Sequence, residues 1–368
     1  MSSNRVIGVY FLDPKLFETT KYGFKKMDRY RLNFLLETLQ CLKRELNKLN
    51  ISLLVFNTAP EHKMSSLVTS FDVDSIFLQK EWTAEEQLSL EKVKNVLPKG
   101  IKIQEIYDQF LFDPEDVPFD AHETPVVFTQ FRKLLEKNSK VKPLVEVKPQ
   151  SIHSLTDQHT EIPNLIDLGF DSFEKDDRTA FPFEGGERSA GLRLNHYFFE
   201  SKALGVYKKT RNGMLGSNYS SKFSPWLANG SLSAKTIYWS IKKYEKEVHK
   251  NESTYWLIFE LIWRDYFKYI SLKHGTKIFK LGGILSQKYT WETNHEIYDK
   301  WIEGKTSEPF VNANMIELKK TGFMSNRGRQ NVASYFTKNM LMDWRMGAAY
   351  FEKQLIDYDV HSNWGNWM

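Results

Sequence analysis

The alternation of β-rich and helical segments in the first hundred residues constrains the fold most strongly. Amphipathic stretches over 28–49, 62–71 and 83–97 separate four runs rich in β-branched and aromatic residues, IGVYFL, ISLLVF, DSIFLQ and IKIQEI. Strands that alternate with helices of this length are typical of βαβ units. The sequence therefore predicts an α/β domain over residues 1–140, built on a doubly wound parallel sheet.

Two local signals refine this first domain. Thr83 and Glu86 stand three residues apart before an apolar run, which predicts a capping box at the start of the third helix. No glycine-rich phosphate loop follows any of the four runs, so an ordinary dinucleotide site is not expected here.

The pattern changes twice after residue 140. Between residues 141 and 186 the periodicity fades into scattered prolines and mixed charges, which indicates a connector that wraps the surface. From residue 187 to 368 the periodicity is helical and is broken by glycines, so the second domain is predicted to be all-α.

Composition narrows the setting of the protein. A net charge of +5 is too mild for a polybasic tail, so any anion-binding surface must be local. The single cysteine, Cys41, excludes an internal disulfide and favours a reducing, cytoplasmic location. We expect no signal peptide, because the opening MSSNRVIGVYFLDP lacks a basic region followed by an apolar stretch and a cleavage site. We expect no membrane span, because Glu260 interrupts the most apolar segment, LIFELIW.

The segment from Tyr207 to Gly230 is the first of four that combine polar and aromatic residues. Ser220, Ser221 and Ser224 beside Lys222 can cradle a diphosphate at the start of a helix. Ordinary helix capping by the serines is the alternative.

The second segment, STYWLIFELIWRDYF, is a predicted buried helix that carries charge. Glu260 and Arg264 are four residues apart and therefore share a face, with Trp263 adjacent. Either they form a plain ion pair or they face a polar cavity, because charges in such an apolar helix are otherwise costly.

The last two segments are polar loops that lead into helices. TGFMSNRGRQNVASY gathers Asn326, Arg327 and Arg329, which suits either a phosphate or a solvated basic turn. In the other, Asp357 and Asp359 lie between tryptophans, and no Glu or His stands at ligand spacing, so a metal site is not expected.

Together these segments resemble the flavin-binding domain of the photolyase and cryptochrome family, and most closely its DASH branch, from Glu187 to Trp367. FELIWRDYF, NRGR, DWR and an Asp-x-Asp followed by Asn363 occur in the family's order and approximate spacing. The resemblance implies FAD in a folded form. DVPF and VFTQFRKLLEK also resemble DASH sequences near a folate antenna, so 5,10-methenyltetrahydrofolate is an expected second cofactor without assigned residues.

The resemblance assigns FAD contacts residue by residue. Arg329 and Asp357 match an ion pair beside the isoalloxazine, and Asn363 matches the residue that faces flavin N5. A neutral amide there can bond to a reduced flavin without adding negative charge. The full set of expected FAD contacts is Tyr207, Ser220, Ser221, Lys222, Phe223, Ser224, Arg264, Asn326, Arg329, Asp357, Asp359 and Asn363.

Two further groups follow from the same resemblance. Trp291, Trp344 and Trp367 match a chain of tryptophans that passes electrons to the excited flavin. The nucleic-acid contacts expected at the mouth of the cavity are Arg211, Glu260, Trp263 and Asn326.

The implied activity is the light-driven splitting of cyclobutane pyrimidine dimers, preferably in single-stranded DNA, by an electron from reduced FAD. Extruding a damaged pair costs less than extruding intact bases. Two alternatives stay open: a photoreceptor without repair, and a flavin-free remnant that binds nucleic acid. Action on RNA also stays open, and we expect a monomer without membrane contact.

Both ends of the chain depart from the family pattern. Relatives begin with an additional, central strand carrying Arg-x-Asp-Leu-Arg, and they continue past Trp367 through further helices. We therefore expect a truncated chain, either from an incomplete record, which we favour because the flavin positions are intact, or from loss of function. Without that strand, two flanking strands should lack a hydrogen-bonding neighbour.

Overall fold

The computed structural model describes residues 5–368, and it confirms the predicted class, an α/β part followed by a helical part. The strands are β1 (Ile7–Phe11), β2 (Ser52–Phe56), β3 (Ser75–Gln79) and β4 (Lys102–Ile106). The first helices are α1 (Arg29–Lys48), α2 (Pro60–Ser70), α3 (Ala84–Val96) and α4 (Phe128–Asn138). The helices that follow are α5 (Glu187–Asn195), α6 (Tyr207–Thr210), α7 (Ser224–Asn229), α8 (Ala234–Glu247), α9 (Glu252–His274), α10 (His295–Glu303), α11 (Pro309–Thr321), α12 (Asn326–Ser334), α13 (Trp344–Gln354) and α14 (Val360–Trp367).

Short helical turns complete the chain. Two π-helical turns, His196–Glu200 and Tyr335–Asn339, extend α5 and α12. The 3-10 turns are Pro14–Phe17, Ala121–Glu123, Ile152–Ser154, Ile166–Leu168, Ala203–Val206 and Gly275–Phe279. None of the helices between residues 5 and 368 is long and apolar enough to cross a membrane.

The strands form two separate parallel pairs. β1 pairs with β2 in a register that sets Ile7 opposite Ser52, and β3 pairs with β4 with Ser75 opposite Lys102. Strand polarity and crossover helices are therefore as predicted, but within the described residues β1 and β3 are not joined into one doubly wound sheet.

One predicted capping motif is wrong. Thr83 is the N-cap residue of α3, but its side chain caps no backbone N–H. Its hydroxyl bonds instead to the side chain of Glu86. A capping box needs each side chain to reach the other residue's backbone, and here the two side chains satisfy each other.

Helix α9 joins the α/β part to the helical part. It begins at a complete capping box, in which Asn251 accepts N–H bonds from Ser253 and Thr254, and the Asn251 N–H donates back to the Thr254 hydroxyl. Its apolar face lies in the largest core, together with α4, α5 and α8. A second core fills the space between α10, α11, α13 and α14, and a third lies under α1, β1 and β2.

Asp265 in the middle of α9 fastens the first part to the second. Its fully buried carboxylate accepts N–H bonds from Leu111 at 2.9 Å and Phe112 at 2.8 Å. One turn further on, the Tyr269 hydroxyl donates to the Phe112 carbonyl at 2.8 Å. Asp265, a charged residue within the apolar helix, therefore has a structural role.

The segment between α4 and α5 lies along the α/β part. The Val55 N–H donates to the Thr160 hydroxyl at 2.7 Å, and the Gln150 N–H donates to the Leu49 carbonyl at 2.8 Å. Apart from two 3-10 turns, this stretch has no regular structure among the described residues. The limits of the two domains and of the connector remain predictions.

Candidate functional site

A single guanidinium shapes the loop that precedes α7. Arg193 on α5 is only 3% exposed and donates to the carbonyls of Ser217 at 2.9 Å, Ser220 at 3.0 Å and Ser221 at 3.1 Å. Arg193 was not among the residues expected from the sequence. The only available signal was a charged residue on the buried face of a short helix.

Lys222 is the most constrained residue of this loop. Its φ of 64° lies in the left-handed region, which is costly for a residue with a Cβ and is concentrated at functional sites. The side chain is buried, and its Nζ lies 3.4 Å from the Tyr219 ring centroid and 4.7 Å from that of Phe323. This Nζ has no hydrogen-bond partner among the described residues, and burial lowers the pKa of Lys222 to about 7.

The predicted ion pair between Arg329 and Asp357 is present, and Arg329 also lies near Phe323. Arg329 Nη2 donates to Asp357 Oδ2 at 2.8 Å, and the guanidinium carbon lies 5.6 Å from the Phe323 centroid. The second carboxylate oxygen, Asp357 Oδ1, is buried and has no partner in the described part of the chain.

These side chains form one cluster around Phe323 with unmet hydrogen-bonding capacity. Lys222 Nζ, the Tyr219 hydroxyl and Asp357 Oδ1 are all buried and unpartnered among residues 5–368. Leaving such groups unpaired costs about 1 to 3 kcal/mol each. The cluster therefore fits a ligand that carries both anionic oxygens and hydrogen-bond donors.

Two neighbouring positions, Phe223 and Ser224, are also expected FAD contacts. Phe223 is buried against Tyr197 and Phe198, so its side chain belongs to the core and only its backbone can face a ligand. Ser224 is exposed at the start of α7, which is only six residues long. Ser220 and Ser221 lie on the loop that Arg193 holds.

The Arg264 side chain is bonded to backbone carbonyls, unlike that of a free pocket residue. Its guanidinium donates to the carbonyls of Gln109 at 2.6 Å and Leu227 at 3.1 Å. Those donors connect α9 to the first part and to α7. The neighbouring Asp265 binds backbone as well, so the two charges that follow Trp263 both serve the junction.

Asp359 and Asn363 are both held by α14 and its neighbours. Asp359 caps α14 through the Ser362 N–H at 2.8 Å and pairs with Lys268 at 3.2 Å, and the Lys268 charge helps hold the pKa of Asp359 well below its usual range against the effect of burial. Asn363 is buried and donates from Nδ2 to the Ala348 carbonyl at 3.0 Å. This bond fixes the orientation of the Asn363 amide.

A second group of charged and aromatic side chains connects α6 with α9. Arg211 forms an ion pair with Glu260, and the Arg211 guanidinium carbon lies 5.7 Å from the Trp256 ring centroid. Burial raises the pKa of Glu260, and the Arg211 charge opposes that rise. Tyr207 is buried beside the pair, and burial and the Glu260 charge raise its pKa.

Asn326 and Trp263 are the two remaining residues of the expected nucleic-acid contacts. Asn326 is exposed at the first position of α12, and the next residue, Arg327, donates to Asn212 Oδ1 at 3.1 Å. Trp263 stacks on Phe128 with ring centroids 3.6 Å apart and planes 10° apart. One face of the Trp263 ring is therefore covered by the α/β part.

The three tryptophans of the expected electron chain belong to one core. Trp344 and Trp367 are buried in it, and Trp291 packs against its edge. The Trp344 ring meets Trp364 edge-on at 5.9 Å, and the Trp367 ring meets Phe351 edge-on at 5.0 Å. Because the Trp367 ring also lies against Gly347, one turn after Trp344, α13 connects the two indoles.

The chain is similar to known proteins along its whole length. Residues 1–150 match the family described as DNA photolyase, and residues 256–368 match the FAD binding domain of DNA photolyase. The chain is 43% identical to Cryptochrome DASH of Gloeobacter violaceus over 99% of its length and 73% of that protein. It is 44% identical to Cryptochrome DASH of Xenopus laevis over its whole length and 71% of that protein.

A solved structure gives the same result. The cryptochrome of Synechocystis superposes with a TM-score of 0.94 at 42% identity, over 99% of this chain and 75% of that one. The chain therefore belongs to the photolyase and cryptochrome family, and its cofactor is FAD. Within that family it is a blue-light flavoprotein of the DASH cryptochrome type.

Proposed function

We propose that this protein splits cyclobutane pyrimidine dimers in single-stranded DNA under blue light. The observation that carries the proposal is the Arg211–Glu260 pair. It places a half-buried carboxyl group of raised pKa beside a cation, on the helix that also carries Trp256 and Trp263. That combination offers phosphate binding, a proton and aromatic surface to an extruded base pair.

The Phe323 cluster is proposed to hold the cofactor. Lys222 and Arg329 supply the positive charge for the phosphates and the polar edge of the ring, and Asp357 Oδ1 accepts a hydrogen bond from it. The Asn363 amide donates to the Ala348 carbonyl, so its oxygen would remain available to accept a hydrogen bond from the isoalloxazine. When bound, FAD supplies the absorption of blue light and the electron that the dimer receives.

Glu260 is proposed to gain a proton when the substrate arrives. In the free protein the Arg211 charge opposes the effect of burial on the Glu260 pKa. A DNA phosphate that binds Arg211 neutralises this charge, so the pKa of Glu260 rises further and the protonated carboxyl group is favoured. The protonated Glu260 can donate a hydrogen bond to the charge that develops on the dimer.

The remaining assignments follow from the same site. We propose Trp291, Trp344 and Trp367 as the path that returns electrons from the surface, since all three pack in one core. We further propose that the protein is a monomer in the cytoplasm. The single, buried Cys41 supports the cytoplasmic location. The folate antenna remains an expectation without assigned residues.

Repair of a thymine dimer in a single-stranded oligonucleotide tests the proposal. Glu260→Ala should lower the repair rate about a hundredfold, which is the usual cost of losing one donor to developing charge. Glu260→Gln should lose less, because its amide N–H can still donate. Glu296→Gln, at an exposed site on α10, is the matched control and should repair at the normal rate.

The controls separate the alternative functions. All variants should keep their FAD and its photoreduction, since Glu260 lies outside the Phe323 cluster. A protein that photoreduces FAD but repairs no dimer in single-stranded DNA, duplex DNA or RNA would be a photoreceptor, and the proposal would be wrong. A protein that binds the oligonucleotide without ever binding FAD would be a flavin-free remnant.

A further inference from the structure

A polar groove of about 530 Å³ lies where the α/β part meets the helical part. Its walls come from the segment before α1, the turn at residues 169–171, and the ends of α11 and α13. None of its lining residues belongs to the expected FAD or nucleic-acid contacts. The volume is within the usual range of small-ligand sites, about 300 to 1,000 Å³.

The groove is positively charged. Its lining contains four cations and two acids, which leaves a net charge of +2: Lys25, Arg29, Lys319 and Lys353 against Asp28 and Asp171. Lys353 and Asp28 pair at 3.1 Å, whereas Lys319 is exposed on the last turn of α11. The N-terminus of the 20-residue helix α1 also faces the groove and adds its partial positive charge.

Aromatic rings stand beside these cations. Lys25 Nζ lies 4.1 Å from the Phe170 ring centroid, and Lys353 Nζ lies 5.4 Å from that of Phe24. Both rings line the groove. Cations interleaved with aromatic faces bind the phosphate and the base of a nucleotide together.

One residue that lines the groove carries a buried acceptor that lacks a partner among the described residues. Gln354 is 4% exposed, and its Nε2 donates to Asp28 Oδ2 at 3.3 Å. Gln354 Oε1 has no partner within residues 5–368. An N–H of a nucleobase would satisfy this oxygen, whereas inorganic phosphate has no N–H to offer.

We propose that this junction groove binds a nucleotide, with its phosphate among Lys25, Arg29, Lys319 and Lys353 and its base between Phe24 and Phe170. The base donates an N–H to Gln354 Oε1. Because the groove walls come from both parts of the chain, a bound nucleotide also fastens α1 to α13. The nucleotide is either free or part of a strand, and the chemistry of recognition is the same.

Calorimetric titration of the FAD-saturated protein with adenosine 5′-monophosphate tests the proposal, because the flavin site is then filled. Binding should be tighter than that of inorganic phosphate. Lys319→Glu should raise the Kd at least about tenfold, the cost of one charge-assisted hydrogen bond. Lys320→Glu, at the neighbouring exposed residue outside the groove, should leave the Kd unchanged.

A second ligand identifies the source of the nucleotide. A short adenine oligonucleotide that binds more tightly than the monophosphate, with the same loss in Lys319→Glu, indicates a strand. Equal or weaker binding indicates a free nucleotide. Absence of monophosphate binding up to millimolar concentration, or a Kd that Lys319→Glu leaves unchanged, would overturn the proposal.

Discussion

Lys222 shows how one residue can combine strain, burial and charge for a ligand. Its left-handed backbone and unpartnered amine are both unfavourable in the free chain. Such features persist where the surrounding structure enforces them, and here the Arg193 guanidinium holds the two residues before Lys222. The cost is offset only when an anion reaches the amine.

The titration of Lys222 gives a prediction about pH. Burial lowers its pKa from 10.5 to about 7, so between these values the folded chain binds fewer protons than the unfolded chain. The free energy of unfolding of the FAD-free protein should therefore rise with pH across this window. FAD binding should take up a proton there, so its Kd should rise by up to about tenfold per pH unit above pH 7.

Fluorescence titration with FAD at several pH values measures this slope. Lys222→Met should weaken binding at pH 7 and abolish the slope. Lys338→Met, at an exposed position in the second π-helical turn, should leave both unchanged. An equal slope in Lys222→Met would show that another group takes up the proton.

Sequence predicted some of these residues and missed others for a physical reason. Arg329 and Asp357 stand in motifs whose spacing sets their roles, and the structure pairs them. The direction of the Phe223 side chain depends on Tyr197, which lies on another segment of the chain. The hydrogen bond of Arg264 depends on the Gln109 carbonyl, which is distant in sequence. No local pattern encodes a contact between residues 155 positions apart.

At the scale of elements, α9 depends on one carboxylate for its contact with the first part. Asp265→Asn keeps the shape but replaces one acceptor oxygen with an N–H₂ group that faces the N–H groups of Leu111 and Phe112. We expect the free energy of unfolding to fall by about 2 kcal/mol. Urea unfolding measures it, with Asp299→Asn at an exposed site on α10 as control, and equal midpoints for wild type and Asp265→Asn would contradict the prediction.

Helix α13 depends on a glycine for its contact with Trp367. A Cβ at Gly347 would lie 2.3 Å from Trp367 Cη2, so Gly347→Ala must displace the indole. Overpacking of this kind costs about 1 to 3 kcal/mol. We expect lower stability and slower photoreduction of the flavin, because the displaced ring lies in the proposed electron path.

Gly191→Ala is the matched control for this change. Gly191 is exposed in helix α5, and an added Cβ meets nothing within 4 Å. Alanine should stabilise that helix by up to about 1 kcal/mol through its higher helix propensity. Photoreduction at the normal rate in Gly347→Ala would exclude Trp367 from the path.

At the scale of the whole molecule, periodicity predicted the order of the elements but not how the strands associate. The four β-rich runs became the four strands, each followed or preceded by its helix. Their division into two pairs depends on which backbone edges meet, and side-chain periodicity carries no information about that. The contacts at Asp265 and at the junction groove likewise connect segments that no single sequence motif spans.

This chain is proposed to hold FAD at the Phe323 cluster and to reduce it with light through its tryptophans. The most direct test is the visible absorption spectrum of the purified 368-residue protein, before and after blue light with an added reductant. We expect flavin bands at about one FAD per chain that bleach on illumination, and Lys222→Met should weaken them. A protein that stays colourless after refolding with FAD would contradict FAD binding at the Phe323 cluster.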